Sequence, residues 1–207
     1  AHNRVVGILL FHHLAMDHIA LEAMREEIHA SLSGHGEPLA APVPYRNYVA
    51  QTRLGVSEQE HEAFFRQMLG DIDEPTLPFA LLNVQGDGSN IEEAEQALAS
   101  ALYQRLQQQA RLAGVSIASL IHLAWAQVLA ATSAQQSVVF GTVLMGRMQG
   151  GAGADRALGV FINTLPLRVD LAEGVRAGVK TTHARLTALL GHEHASLALA
   201  QRCTGMT

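Results

Sequence analysis

The run RVVGILLF at residues 4–11 constrains this chain most, because it is apolar at nearly every position and too short for a buried helix. A strand sends successive side chains to opposite faces, so a run apolar on both faces asks for a sheet covered on each side. The run ends at His12 and His13, and an amphipathic helix follows over residues 18–32. There Leu21, Met24, Ile28 and Leu32 form one stripe, with Glu22, Arg25, Glu26 and Glu27 on other faces, and Asp17 is placed to cap the first turn. A second apolar run, SVVFGTVLM at 137–145, reads as another buried strand and stops at Gly146 and Arg147. Strands interleaved with helices make the fold class α/β.

The remaining elements follow from local pattern. Residues 33–51 carry Gly34, Gly36, Pro38, Pro42 and Pro44 and read as an extended connector, a loop passing into YRNYVAQ. Ser57 and Glu60 form a capping box for a helix ending at Gly70, with Phe64, Phe65, Met68 and Leu69 facing inward. Residues 71–90 crowd Pro, Gly and Asp together and are the expected boundary. Beyond it, Ser100 can cap a helix through Leu112 and Ser116 another through Ala131. The second holds Ile117, Leu120, Ile121, Ala124, Trp125, Val128 and Leu129 without a formal charge, which predicts a central helix. A glycine-rich loop, GGAGADRALG, precedes the strand candidate VFINTLPLRV, and a last helix is expected over about 175–190.

Composition narrows the function. A net charge of −5 with 14 Lys and Arg against 19 Asp and Glu offers no basic field for a nucleic-acid backbone. One cysteine, Cys203, allows neither an internal disulfide nor a cysteine-based metal site, and suggests a reducing compartment, hence the cytoplasm. No apolar run reaches membrane-spanning length, and no signal peptide is expected. The chain lacks an initiator Met and stops at QRCTGMT without a terminating signal, so it is expected to be cut from something longer.

Chemistry concentrates in LLFHHLAMDHIALEAMREEI, residues 9–28. A carboxylate four residues after a histidine can fix the loop that presents the imidazole. An unperturbed histidine titrates near pH 6.5, so it can take a proton from an amine or hydroxyl nucleophile near neutrality. The plain alternative is a histidine pair satisfied by backbone. Zinc held by His13, Asp17 and His18 is a further alternative, although His35, His61 and His122 lack a supporting spacing. A serine nucleophile has no GxSxG elbow, and Ser116, Ser119 and Ser133 are accounted for as caps or helix surface. GRMQGGAGADRALG lacks the Gly-Lys-Ser/Thr ending of a phosphate loop. Arg147, directly after a buried strand, calls for a carboxylate partner, and Asp17 is one candidate.

The segment HHLAMDH resembles the HHxxxDG signature of the condensation domains of nonribosomal peptide synthetases. YRNYVAQ, VVFGTVLMGR, LGVFINTLPLRV and HEHASLALAQ fall, in order, where that family has further blocks. The resemblance implies a two-lobed, chloramphenicol-acetyltransferase-like sandwich, here only the end of the first lobe (1–82) and the start of the second (83–207). It implies a tunnel in which two carrier-protein phosphopantetheine arms meet, with an adenylation domain elsewhere in the synthetase. It implies an acyltransferase forming an amide between a donor acyl or peptidyl thioester and an acceptor aminoacyl amine, with no cofactor or metal bound by the domain itself. Carried over residue by residue, His13 is the catalytic imidazole, and His12, Asp17 and Arg147 support it. Gly146 and Asn163 line the tunnel, as does His18, which replaces the motif's final glycine and there narrows the channel or adds a polar group. Epimerising and ester-forming relatives share the fold, and a non-catalytic module that binds carrier proteins is the alternative function.

Overall fold

The computed structural model describes residues 6–34, 41–82, 92–147 and 153–206. Its helices are α1 (His18–Leu32), α2 (Tyr45–Leu54), α3 (Glu58–Leu69), α4 (Ser100–Ala113), α5 (Ile117–Ser133), α6 (Val175–Leu190) and α7 (Leu197–Arg202). Its strands are β1 (Ser137–Leu144) and β2 (Asn163–Asp170), and short 3-10 turns lie at Pro78–Ala80 and Ala154–Arg156. The chain divides into two compact units, one of residues 1–57 with 143–163, the other of 58–142 with 164–207. Residues 4 and 5 of the expected first strand, the connector around His35, the boundary segment from 83 on and the start of the glycine-rich loop at 150–152 fall wholly or partly outside the described residues.

In the first unit α1 begins where expected, because the Asp17 carboxylate accepts the Ala20 N–H at 2.9 Å and so satisfies a donor the helix cannot satisfy itself. Residues 6–11, the described part of the expected strand, have no regular structure. No described segment pairs with them, and Val6, Ile8 and Leu10 stand 82%, 85% and 91% exposed. A strand exists only when a neighbour supplies its backbone ladder, whatever its side chains favour. YRNYVAQ is helical, not loop: it opens α2 directly after Pro44, whose φ of −65° leads into the first turn.

In the second unit Leu171 N–H donates to Gln136 O at 2.8 Å, so the end of β2 lies beside the start of β1 and the strands run antiparallel. Val138, Leu165, Leu167 and Val169 are buried along them. Asp170 at the end of β2 accepts from Ser137 Oγ (2.6 Å), Arg168 Nε (3.0 Å) and Arg185 Nη2 (2.6 Å). Burial alone would raise its pKa, but these hydrogen bonds prevail and hold it at about 2.

Ser116 caps α5 through Ser119 N–H, as expected, whereas Ser100 lies inside α4, whose N-cap is Ala99. α5 packs on α6, α4 and the Pro78–Ala80 turn and buries Leu123, Ala126 and Leu129. It is not wholly central, since Ile121, Trp125 and Val128, recurring on one face, are 49%, 50% and 50% exposed. α3 packs on α7, a helix that the sequence pattern did not predict. Phe65 and Leu69 of α3 are fully buried, while Phe64 and Met68 are only half-buried. Among the described residues no single helix is long and apolar enough to cross a membrane; α4 and α5 together reach that length but are bent by 107°.

Candidate functional site

The candidate site lies within the first unit. A turn over residues 12–15 is closed by Ala15 N–H donating to His12 O at 2.8 Å. His12 folds back inside it, its Nδ1 accepting the Leu14 N–H at 3.0 Å. His13 points outward: it is exposed, and its ring stands edge-on to Phe11 with centroids 5.5 Å apart. His18, the first residue of α1, is also exposed.

Asp17 is the anchor. It is 2% exposed, and Oδ1 accepts from Arg147 Nη2 at 2.7 Å as well as from Ala20 N–H. Oδ2 accepts the Phe161 N–H at 3.1 Å, and its own N–H donates to Gly159 O at 3.2 Å. Arg147, the partner anticipated on chemical grounds, has a side chain only 7% exposed. Its Nη1 donates to Ala154 O (2.5 Å) and Ala157 O (3.0 Å), and its guanidinium carbon lies 3.9 Å from the centroid of the Phe161 ring. A buried ion pair survives desolvation when further hydrogen bonds support it, as those to both Asp17 oxygens and from Arg147 Nη1 do here, while the buried Arg147 Nε has no partner among the described residues. The zinc alternative does not assemble, because both Asp17 oxygens are committed to these donors, and among the described residues no group of three or more metal-binding side chains gathers.

Gly146, expected along the tunnel, meets the structure as a close-approach position. Its φ is +65°, and a Cβ there would fall 1.9 Å from Phe161 O, which only glycine tolerates. Asn163, the other expected tunnel residue, opens β2 and is half-buried. His61 and His122 lie elsewhere: His61 Nδ1 is 2.9 Å from His192 Nδ1, and His122 bonds its own helix at Ala118 O. Ser119 is fully buried and its hydroxyl lies between Ser116 and His183.

Sequence pattern missed four contributors. Tyr45 OH donates to Val160 O, and Tyr48 OH to Phe161 O at 3.5 Å. Phe161 is buried with Tyr45 edge-on at 5.3 Å and Tyr48 tilted against it at 4.4 Å. Gly159 has φ +153°, and a Cβ on it would fall 2.2 Å from the Tyr45 ring. Burial first, then the charge of Asp17, raise the Tyr45 pKa against the opposing effect of Arg147, so its hydroxyl remains a donor. The spacing of Tyr45 and Tyr48 on one face of a helix was the available signal, but it does not say what that face meets.

Against this geometry stand the comparisons with known proteins. The family model "Condensation domain" matches residues 1–201. Malpibaldin synthetase of Mortierella alpina is 57% identical over 205 residues, covering 99% of this chain and 4% of the synthetase. Malpinin synthetase of the same organism is 56% identical over 203 residues, covering 98% of the chain and 3% of the synthetase. The chain thus spans a few hundredths of the length of these relatives. Among solved structures, the first condensation domain of the calcium-dependent antibiotic synthetase, in complex with a substrate analogue, matches with a TM-score of 0.70 at 22% identity. That match covers 94% of this chain and 45% of the solved one, and it shows a shared fold.

Proposed function

The chain belongs to the condensation-domain family, and on that premise we propose that it forms part of a peptide-bond-forming acyltransferase in which His13 works on the acceptor amine. The amine nitrogen attacks the thioester carbon of the donor, the C–N bond forms and the C–S bond breaks. The proton leaves the nitrogen through His13 and ends on the departing thiolate, so the products are an amide and a free thiol. Amide formation from a thioester is already downhill, so alignment and one proton acceptor suffice. The observation that carries this reading is the pinning of Asp17 by Arg147, Phe161 and Gly159. It fixes the start of α1 and the turn before it, so that an exposed imidazole is held by a buried anchor.

The substrates belong to the same proposal: donor and acceptor carried on phosphopantetheine arms of carrier proteins, with an adenylation domain in the same cytoplasmic synthetase. So does the assignment of residues 1–82 and 83–207 to two lobes, which the order of the sequence blocks supports. A non-catalytic, carrier-binding role is the second reading, favoured by His18 standing exposed where the family signature has glycine. Donor- and acceptor-loaded carrier proteins given to the intact parent enzyme decide between the two. His13→Ala is expected to slow dipeptide formation by about 100-fold or more, the usual range for a lost general base. An unchanged rate in the variant would remove His13 from the chemistry, whereas a wild-type parent that binds both loaded carriers and makes no dipeptide would leave the carrier-binding reading standing.

A further inference from the structure

We infer that Tyr45 and Tyr48 are positioning residues for the turn that bears His13, acting through the segment Gly159–Phe161; this rests on the proposed role of His13. Asp17 reaches across the chain to that segment twice, by its N–H to Gly159 O (3.2 Å) and by Oδ2 from Phe161 N–H (3.1 Å). Those two bonds place Asp17 only as well as the segment itself is placed.

The segment has little regular structure of its own, since residues 157–162 belong to neither a helix nor a strand. Helix α2 meets the same segment through its two tyrosines. Tyr45 OH holds the carbonyl of Val160, and Tyr48 OH reaches that of Phe161 at 3.5 Å. The Tyr45 ring lies where a Gly159 side chain would be, and both rings pack on Phe161. Arg147 touches the Phe161 ring as well as the Asp17 carboxylate. Two hydroxyls and two rings therefore fix three consecutive residues, and these fix Asp17. The hydroxyl of Tyr45 matters more than that of Tyr48, whose hydrogen bond is long.

The test uses the intact parent enzyme with loaded carrier proteins, measuring kcat and KM for the acceptor beside the melting temperature. Tyr45→Phe keeps the ring and deletes the bond to Val160. It is expected to lower kcat about 10- to 100-fold, the scale on which small misplacements of reacting groups act, with KM and melting temperature little changed. Tyr48→Phe should have a smaller effect on kcat. A Tyr45 that only packed would show the reverse: Tyr45→Phe silent, and Tyr45→Leu lowering the melting temperature with kcat per folded molecule intact; that result overturns the inference. His13→Ala, run in parallel, separates the two claims. If His13→Ala is inactive and Tyr45→Phe normal, only the tyrosines' role fails. If His13→Ala is normal, the role of His13 fails and with it any action of Tyr45 through that residue.

Discussion

A single carboxylate organises the proposed site, and its surroundings set what its loss costs. Asp17 and Arg147 are both buried and share the bond at 2.7 Å, so neither can be removed without stranding the other's polar atoms. Asp17→Asn keeps an oxygen for the helix cap but leaves the guanidinium without its counter-charge. Breaking a buried pair in this way costs about 3–5 kcal/mol, and the effect should appear as faster hydrogen exchange at the Phe161 and Ala20 amides. The double variant Asp17→Asn with Arg147→Met should cost less than the sum of its parts, because the stranded charge is gone. Additive losses would show that the pair does not act as a unit. Gly146→Ala makes a different demand: the new methyl meets the Phe161 carbonyl at 1.9 Å at a φ of +65°. The segment after it must then move, so dipeptide formation should fall even though no charged group has changed.

Helix α3 carries a sensor of acidity that belongs to the element, not to the site. His61 Nδ1 and the Nδ1 of His192, in the turn after α6, are 2.9 Å apart, so one must donate and the other accept, which two imidazolium rings cannot do. Phe64 of α3 stacks on His192 with centroids 4.0 Å apart. Burial lowers both pKa values; His194 lowers that of His61 further, His61 that of His192, and Glu60 raises both. His194 is itself lowered by burial. Folded values below the ordinary one mean that the unfolded chain binds more protons at mildly acid pH. The contribution is therefore whole above about pH 6.5 and is lost as the pH falls from there toward the lowered folded values. Amide protection across α3 should decline in that window, and His61→Gln should flatten the decline. A wild-type profile level through the window would refute the assignment. Asp170 sets a lower acid limit of the same sign: with a folded pKa of about 2 against an ordinary 3.8, its contribution holds above about 3.8 and fades toward 2. Elements were legible in the sequence where one side chain decides the boundary. Asp17 and Ser116 accept from the third residue onward, a contact set by helix geometry alone. α2 was hidden behind prolines, and Ser100 resembled a cap without acting as one, because the start of a helix also depends on what its first turn packs against.

At the scale of the whole molecule, large apolar surfaces remain open on this chain. Residues 6–11 present Val6, Ile8, Leu9, Leu10 and Phe11, all at least 43% exposed, and α5 presents Ile121, Trp125 and Val128. Such a stripe and such an unpaired segment drive association when nothing covers them. The 207 residues by themselves should self-associate in sedimentation or light scattering, and Leu10→Lys combined with Trp125→Lys should reduce this. A wild-type chain that stayed monodisperse at high concentration would contradict the expectation. The helical stripes, the Asp17 and Ser116 caps, the two apolar runs and the five family blocks were determined by the sequence alone, because each depends on residues a few positions apart or on motif order. Only the tertiary structure decided that Asp17 meets Arg147 across 130 positions and that Tyr45 meets Val160 across 115. It also decided that the run at residues 6–11 finds no partner among the described residues. Periodicity specifies which face of an element is apolar, but a hydrogen bond between distant residues depends on where the backbone carries both ends, and local spacing holds no record of that path.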